Sequence, residues 1–206
     1  ADACDDSGTV ANLTAECLHT PDRFQITIYE MGLCTSNPLD GTAGSKTFDL
    51  STCIATMERN LVGVSGDLAG SGSFNLPGAT TRPPSNTYTY AYIILSPTIG
   101  LRGSYALSNG TTYYSDSTGS NLSTTGPAVN HSETLDDFGD SSFDAEWGTD
   151  GSESISGSGK IMAMLLNSSF TKSTSSSATA YLAGVFQPDS GNEVGITDST
   201  KGVAVD

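Results

Sequence analysis

Basic side chains are scarce in this chain: 8 Lys and Arg stand against 23 Asp and Glu, for a formal net charge of -15 and a pI near 4.1. Binding to nucleic acid or to anionic lipid needs clustered Arg and Lys that meet phosphate, so the charge repels both and nucleic acid is excluded as a direct partner. The charge suits a surface bathed in salt, where screening over roughly 8 Å removes most self-repulsion. Long apolar runs are missing too. The longest, around 161–166 and 180–186, are strand-sized and fall well short of the roughly 20 residues of a membrane helix. No transmembrane segment is expected. The opening residues, Ala1 to Cys4, have no basic stretch and no apolar stretch, so the expectation is an extracellular or cell-surface protein whose signal peptide has been removed.

Catalytic signatures are equally sparse. There is no G-x-S-x-G elbow, Walker loop, dinucleotide fingerprint or H-E-x-x-H, each of which would place a nucleophile, phosphate cradle or metal pair. The two histidines, His19 and His131, are single, the pattern of ordinary surface residues and not of a Ser-His-Asp relay. The chain is read as non-catalytic, with no cofactor.

What is abundant is Ser (30), Thr (26) and Gly (23), a composition of strands and turns. With 206 residues the chain can bury a sizeable core. The expected fold is all-β, an antiparallel β-sandwich of Ig-like or jelly-roll-like type over 21–206, preceded by an N-terminal extension over 1–20. A Ser/Thr/Gly connection at 115–131 marks a candidate subdomain boundary.

All four cysteines, Cys4, Cys17, Cys34 and Cys53, lie in the first quarter of the chain without a C-x-x-C pair. Structural zinc sites bring their ligands in close pairs, so the set reads as two disulfides formed outside a reducing cytosol. Four cysteines allow three connectivities; local proximity favours Cys4–Cys17 with Cys34–Cys53, each worth about 3 kcal/mol.

Along the chain, 10–18 is a short candidate helix. Phe24, Ile26 and Ile28 alternate with Gln25, Thr27 and Tyr29, a period-two strand running towards Cys34. Further strands are expected at 46–50, 61–64 and 71–76. A long central strand is expected over 88–96, where aromatic and small residues alternate before a continuous apolar run, with 101–107 as a pairing candidate and 111–114 after it. Residues 160–170 and 178–187 read as a hairpin. The last residues, 201–206, form a short strand-like stretch.

Residues 133–153 carry eight acids and no base. The ordinary reading is a solvated acidic loop; the alternative is a calcium site, with Asp140, Asp144 and Asp150 as first ligands, because hard cations collect carboxylate oxygens from flexible loops. In a strand, Asp144 and Glu146 would share a side next to Trp147, the only tryptophan, as in a sugar-binding or sugar-cleaving site. Chance carboxylates and a core tryptophan explain the same residues. Five N-x-S/T sequons, at Asn12, Asn109, Asn121, Asn130 and Asn167, are acceptors only in a eukaryotic secretory pathway.

Two phrases, Ile-Tyr-Glu-Met-Gly-Leu-Cys-Thr-Ser-Asn-Pro at 28–38 and Arg-Pro-Pro-Ser-Asn-Thr-Tyr-Thr-Tyr-Ala-Tyr-Ile-Ile at 82–94, resemble segments of uncharacterised β-rich proteins of marine bacteria and their phages. The resemblance covers roughly the first half and implies a secreted or particle-surface structural protein, without catalytic residues. Physically, a chain with no evident site and polar ends can polymerise by lending one end, 1–20 or 201–206, as a strand to a neighbour's sheet edge. The expected function is a self-assembling, non-catalytic subunit of an extracellular filament or surface layer. The alternatives are a phage virion surface or decoration protein and a calcium-dependent or carbohydrate-binding module with Trp147, Tyr113 and Tyr114 on its face.

Overall fold

The computed structural model describes residues 2–3, 17–41, 46–69, 74–79, 82–119, 122–136, 144–145 and 159–201, with backbone alone at 2–3, 17–18, 40 and 144–145. No α-helix occurs among them. The strands, in chain order, are β1 (Asp2–Ala3), β2 (Cys17–Leu18), β3 (Arg23–Cys34), β4 (Leu39–Asp40), β5 (Thr47–Phe48), β6 (Cys53–Met57), β7 (Val64–Asp67), β8 (Asn86–Tyr88) and β9 (Tyr90–Leu95). The second half adds β10 (Thr98–Arg102), β11 (Ser104–Ala106), β12 (Thr112–Ser115), β13 (Leu122–Ser123), β14 (His131–Thr134), β15 (Asp144–Ala145), β16 (Gly159–Leu166), β17 (Tyr181–Pro188) and β18 (Val194–Ile196). The chain divides into two compact units, 1–26 with 65–74 and 98–134, and 27–64 with 75–97 and 135–206.

The second unit is built on antiparallel strands in the order β3-β9-β17-β16-β15, with β6 pairing antiparallel to the end of β3. The alternation legible in 88–96 puts successive β9 side chains on opposite faces. On one face Tyr92 and Ile94 join Cys34, Met162, Met164, Leu166 and Val185 in the main core, closed by Leu39 of the β4–β5 ribbon. Towards the other, Leu33 packs with Tyr88 and Ile196, and the β8–β18 ribbon covers it. Met162 to Leu166 are buried on both faces of β16, and this is why the strand reads as the near-continuous apolar run Ile-Met-Ala-Met-Leu-Leu. Ile94, Met164, Leu165 and Leu166 are wholly buried, each contributing roughly 1.5–3 kcal/mol of transfer free energy.

In the first unit β10 lies between β14 and the opening residues of β3, antiparallel to both. A separate sheet runs β11-β12-β13, and β1 pairs with β2 in parallel. Within the 115–131 connection the Gly126-Pro127 peptide is cis.

The 23–34 strand and the 160–187 hairpin are observed as expected, the hairpin in unbroken register from Gly159 opposite Pro188 to Leu166 opposite Tyr181. Other expectations need correction. The 88–96 stretch is two strands, because the Thr89 amide donates to the Cys34 carbonyl and its hydroxyl to the Thr35 carbonyl, each at 3.1 Å; β8 is thereby released to β18. Residues 101–107 do not pair with it: β10 goes to β3 and β14, and β11 to β12. Residues 61–62 form a turn, with the Val62 amide on Asn60 Oδ1 at 3.0 Å and Gly63 at φ +75°, a conformation glycine adopts without strain. Turn chemistry there overrides the apolar pair, leaving Val62 87% exposed. Of 46–50 only Thr47–Phe48 is strand. Residues 74–76 are irregular and 71–73 lie outside the described residues, as do 10–16 of the expected helix, whose last two residues are the strand β2.

Candidate functional site

The staple is the first site that the sequence foresaw. Antiparallel pairing sets Cys34 directly opposite Cys53, and the two form a disulfide. Cys34 is wholly buried in the main core. This bond removes the two connectivities that would use Cys34 or Cys53 elsewhere. Cys4 lies outside the described residues, and of Cys17 only the backbone in β2 is described. The calcium candidates fall largely in the same position: Asp140 and Asp150 lie outside the described residues, with Glu146 and Trp147, while the Asp144 backbone sits in β15 opposite Met164. Among the described residues no three His, Cys, Asp or Glu side chains gather as a metal site.

Charge chemistry absent from the sequence reading appears in the second unit. Glu30 is 7% exposed; it continues the Phe24, Ile26, Ile28 alternation, so an acid falls at an apolar position of β3, and that break in pattern was the available signal. Its Oε1 accepts the Tyr92 hydroxyl at 2.8 Å, and its Oε2 accepts Arg59 Nε. Arg59 in turn lies 3.8 Å over the Phe170 ring, which stacks on Tyr181 at 4.4 Å, and Tyr181 meets Tyr29 edge-on at 5.1 Å. Burial, reinforced by the Glu30 hydrogen bond and charge, pushes the Tyr92 phenol well above its ordinary value. A carboxylate with both oxygens engaged and a phenol that keeps its proton make an anchor, not an acid–base pair.

The first unit holds a cavity of about 420 Å³ whose wall is mainly apolar and includes Pro21, Phe24, Leu101, Leu122, Tyr105 and Tyr113. Both histidines of the chain, separated by 112 positions, line it. His19 Nε2 donates to the Ser104 carbonyl at 2.9 Å, and its ring meets Tyr105 edge-on at 4.8 Å. His131, expected to be an ordinary surface residue, has a buried Nδ1 without a hydrogen-bond partner. Sequence spacing gives no sign of this meeting.

In the second unit, β16 has β17 along its whole length. On its other side, register partners among the described residues are confined to Asp144 and Ala145, opposite Met164 and Ala163, with one bridge from Leu166 to Lys172.

These features define a nearly all-β protein of antiparallel sheets, with a disulfide joining two adjacent strands. Among the described residues no helix is long and apolar enough to cross a membrane. No family model, no curated protein and no solved structure matches the chain.

Proposed function

We propose that this protein is a non-catalytic extracellular structural subunit, an antiparallel β-sandwich that assembles with copies of itself into a filament or surface layer by strand donation. The observation that carries the reading is the antiparallel, nearly all-β build of the described residues. A strand donated to a neighbour's sheet edge gains main-chain hydrogen bonds there. The Cys34–Cys53 bond adds the oxidising compartment that an extracellular subunit would pass through. The donor candidates at the two ends, 1–20 and 201–206, lie mostly outside the described residues.

The experiment is negative-stain electron microscopy with size-exclusion chromatography of the purified protein, with and without calcium. Ordered filaments or lattices are expected, and deletion of the donating end should leave monomers. A synthetic peptide of that end, added in excess, should cap the edge and give monomers as well. A monodisperse monomer under every condition overturns the proposal.

A further inference from the structure

Strand register builds the cavity of the first unit from two rows of side chains. Phe24 of β3, Leu101 of β10 and His131 of β14 stand opposite one another, so all three lie on one face of their sheet. Arg102, one position on, belongs to the other face, where Arg23 is opposite it and the charges of both act on the Asp67 carboxylate. In the β11-β12-β13 sheet Tyr105 stands opposite Tyr113, and Ser115 opposite Leu122; Tyr113 and Ser115, two positions apart, share that face. Both rows line one cavity of about 420 Å³, a volume in the range of small-molecule sites, roughly 300–1,000 Å³.

This wall offers a ligand little besides apolar surface. Among the described residues no Asp, Glu or Lys lines it, and with Arg102 on the far face a charged ligand group would lose water there without gaining a counter-ion. Most hydrogen-bonding side chains of the lining are already committed. His19 Nε2 meets the Ser104 carbonyl at 2.9 Å, the Ser104 hydroxyl donates to Asp22 at 2.8 Å, and the Ser115 hydroxyl donates to the Val129 carbonyl at 2.8 Å while accepting the Gly103 amide at 3.1 Å. Tyr113 differs: it lines the cavity, is only 9% exposed, and its hydroxyl makes no hydrogen bond among the described residues. A hydroxyl on so buried a residue ordinarily has a partner in protein, water or ligand. We propose that this cavity binds a small uncharged aromatic alcohol, with its ring against Phe24, Tyr105 and Tyr113 and its hydroxyl paired with that of Tyr113. A sugar, with several hydroxyls to satisfy, finds too few partners there. The site is independent of self-assembly, since it needs no second copy of the chain.

Because the chain has two histidines and both line the cavity, its two histidine ring Cε1–H signals in the proton NMR spectrum report on occupancy. The probe is 4-methylphenol, titrated against the full chain at pH about 8, where histidine is neutral and the phenol keeps its proton. Both signals are expected to shift saturably, and 4-methylbenzoate is expected to bind at least about tenfold more weakly, because its charge finds no partner. Tyr113→Phe should weaken 4-methylphenol about fivefold, the loss of one neutral hydrogen bond, and leave toluene binding unchanged. The comparison of phenol and acid on the unaltered protein decides the matter even where the variant folds poorly. Histidine signals that stay fixed to about 5 mM 4-methylphenol, equal binding of phenol and acid, a Tyr113→Phe variant that weakens phenol no more than toluene, or shifts produced by glucose instead would each overturn the proposal.

Discussion

Replacing Cys34 and Cys53 by alanine together, with Cys4 and Cys17 kept, isolates one staple. The bond closes a loop of 19 residues, and the chain-entropy relation gives a loss of about 11 cal/mol/K in the unfolded state, or about 3 kcal/mol at 25 °C. Cys34 is wholly buried, so removing its sulfur adds a packing loss of about 1 kcal/mol. The two strands are also hydrogen-bonded neighbours, and residual hairpin structure in the unfolded chain would reduce the entropic part. The expected total is therefore about 3–4 kcal/mol. With a urea slope of about 2 kcal/mol/M, the midpoint followed by far-UV circular dichroism should fall by about 1.5–2 M. A fall below about 0.5 M would refute the reasoning, because the loop would then not be holding the unfolded chain together.

Two further perturbations test the interior of the second unit. Tyr92→Phe removes the 2.8 Å hydrogen bond to Glu30 and should destabilise by about 1.5–3 kcal/mol, the range for bonds to a charged acceptor; a change below about 0.5 kcal/mol in urea melts would show Glu30 to be satisfied without it. The raised Tyr92 phenol keeps its proton in the folded state after the unfolded chain has lost it. Its stabilising share is thus complete below pH about 10 and declines above, by up to about 1.4 kcal/mol per pH unit, and Tyr92→Phe should flatten that alkaline decline. Gly32→Ala would drive a Cβ into the Ile54 carbonyl and the Tyr92 ring, so a loss of about 3 kcal/mol is expected from overpacking; a melt matching the parent protein would contradict the close approach at that position.

The parts of the fold governed by local pattern were legible. Alternation marked β3, and the apolar runs marked β9, β16 and β17, because side-chain period and burial are written directly into sequence. The Cys34–Cys53 pairing followed from proximity. Lost were the places where a turn competes with an apolar pair, as at Asn60 to Gly63, and the break at Thr89, where hydrogen bonds to Cys34 and Thr35 divide one run between two sheets. The cavity was illegible for another reason. Phe24, Leu101, Tyr113 and His131 come together only through pairing of distant strands, and no spacing rule links His19 to His131. Glu30 lay between these cases, visible as a misfit in an apolar row but without any indication that Arg59 and Tyr92 would receive it.

The position of β9 carries a consequence for the order of events in the life of the chain. It pairs on one side with β3, already synthesised, and on the other with β17 at Tyr181–Pro188, so its second row of hydrogen bonds has no partner until those residues, some ninety positions later, have been made. A nascent chain ending anywhere before that strand exposes an apolar, half-paired sheet. Such a topology folds late and slowly, and in the interval it is vulnerable to association with its neighbours. Strand β17 thus acts as the timer of this sheet's folding, and its loss should leave an unfolded or aggregating product and not a smaller version of the same domain.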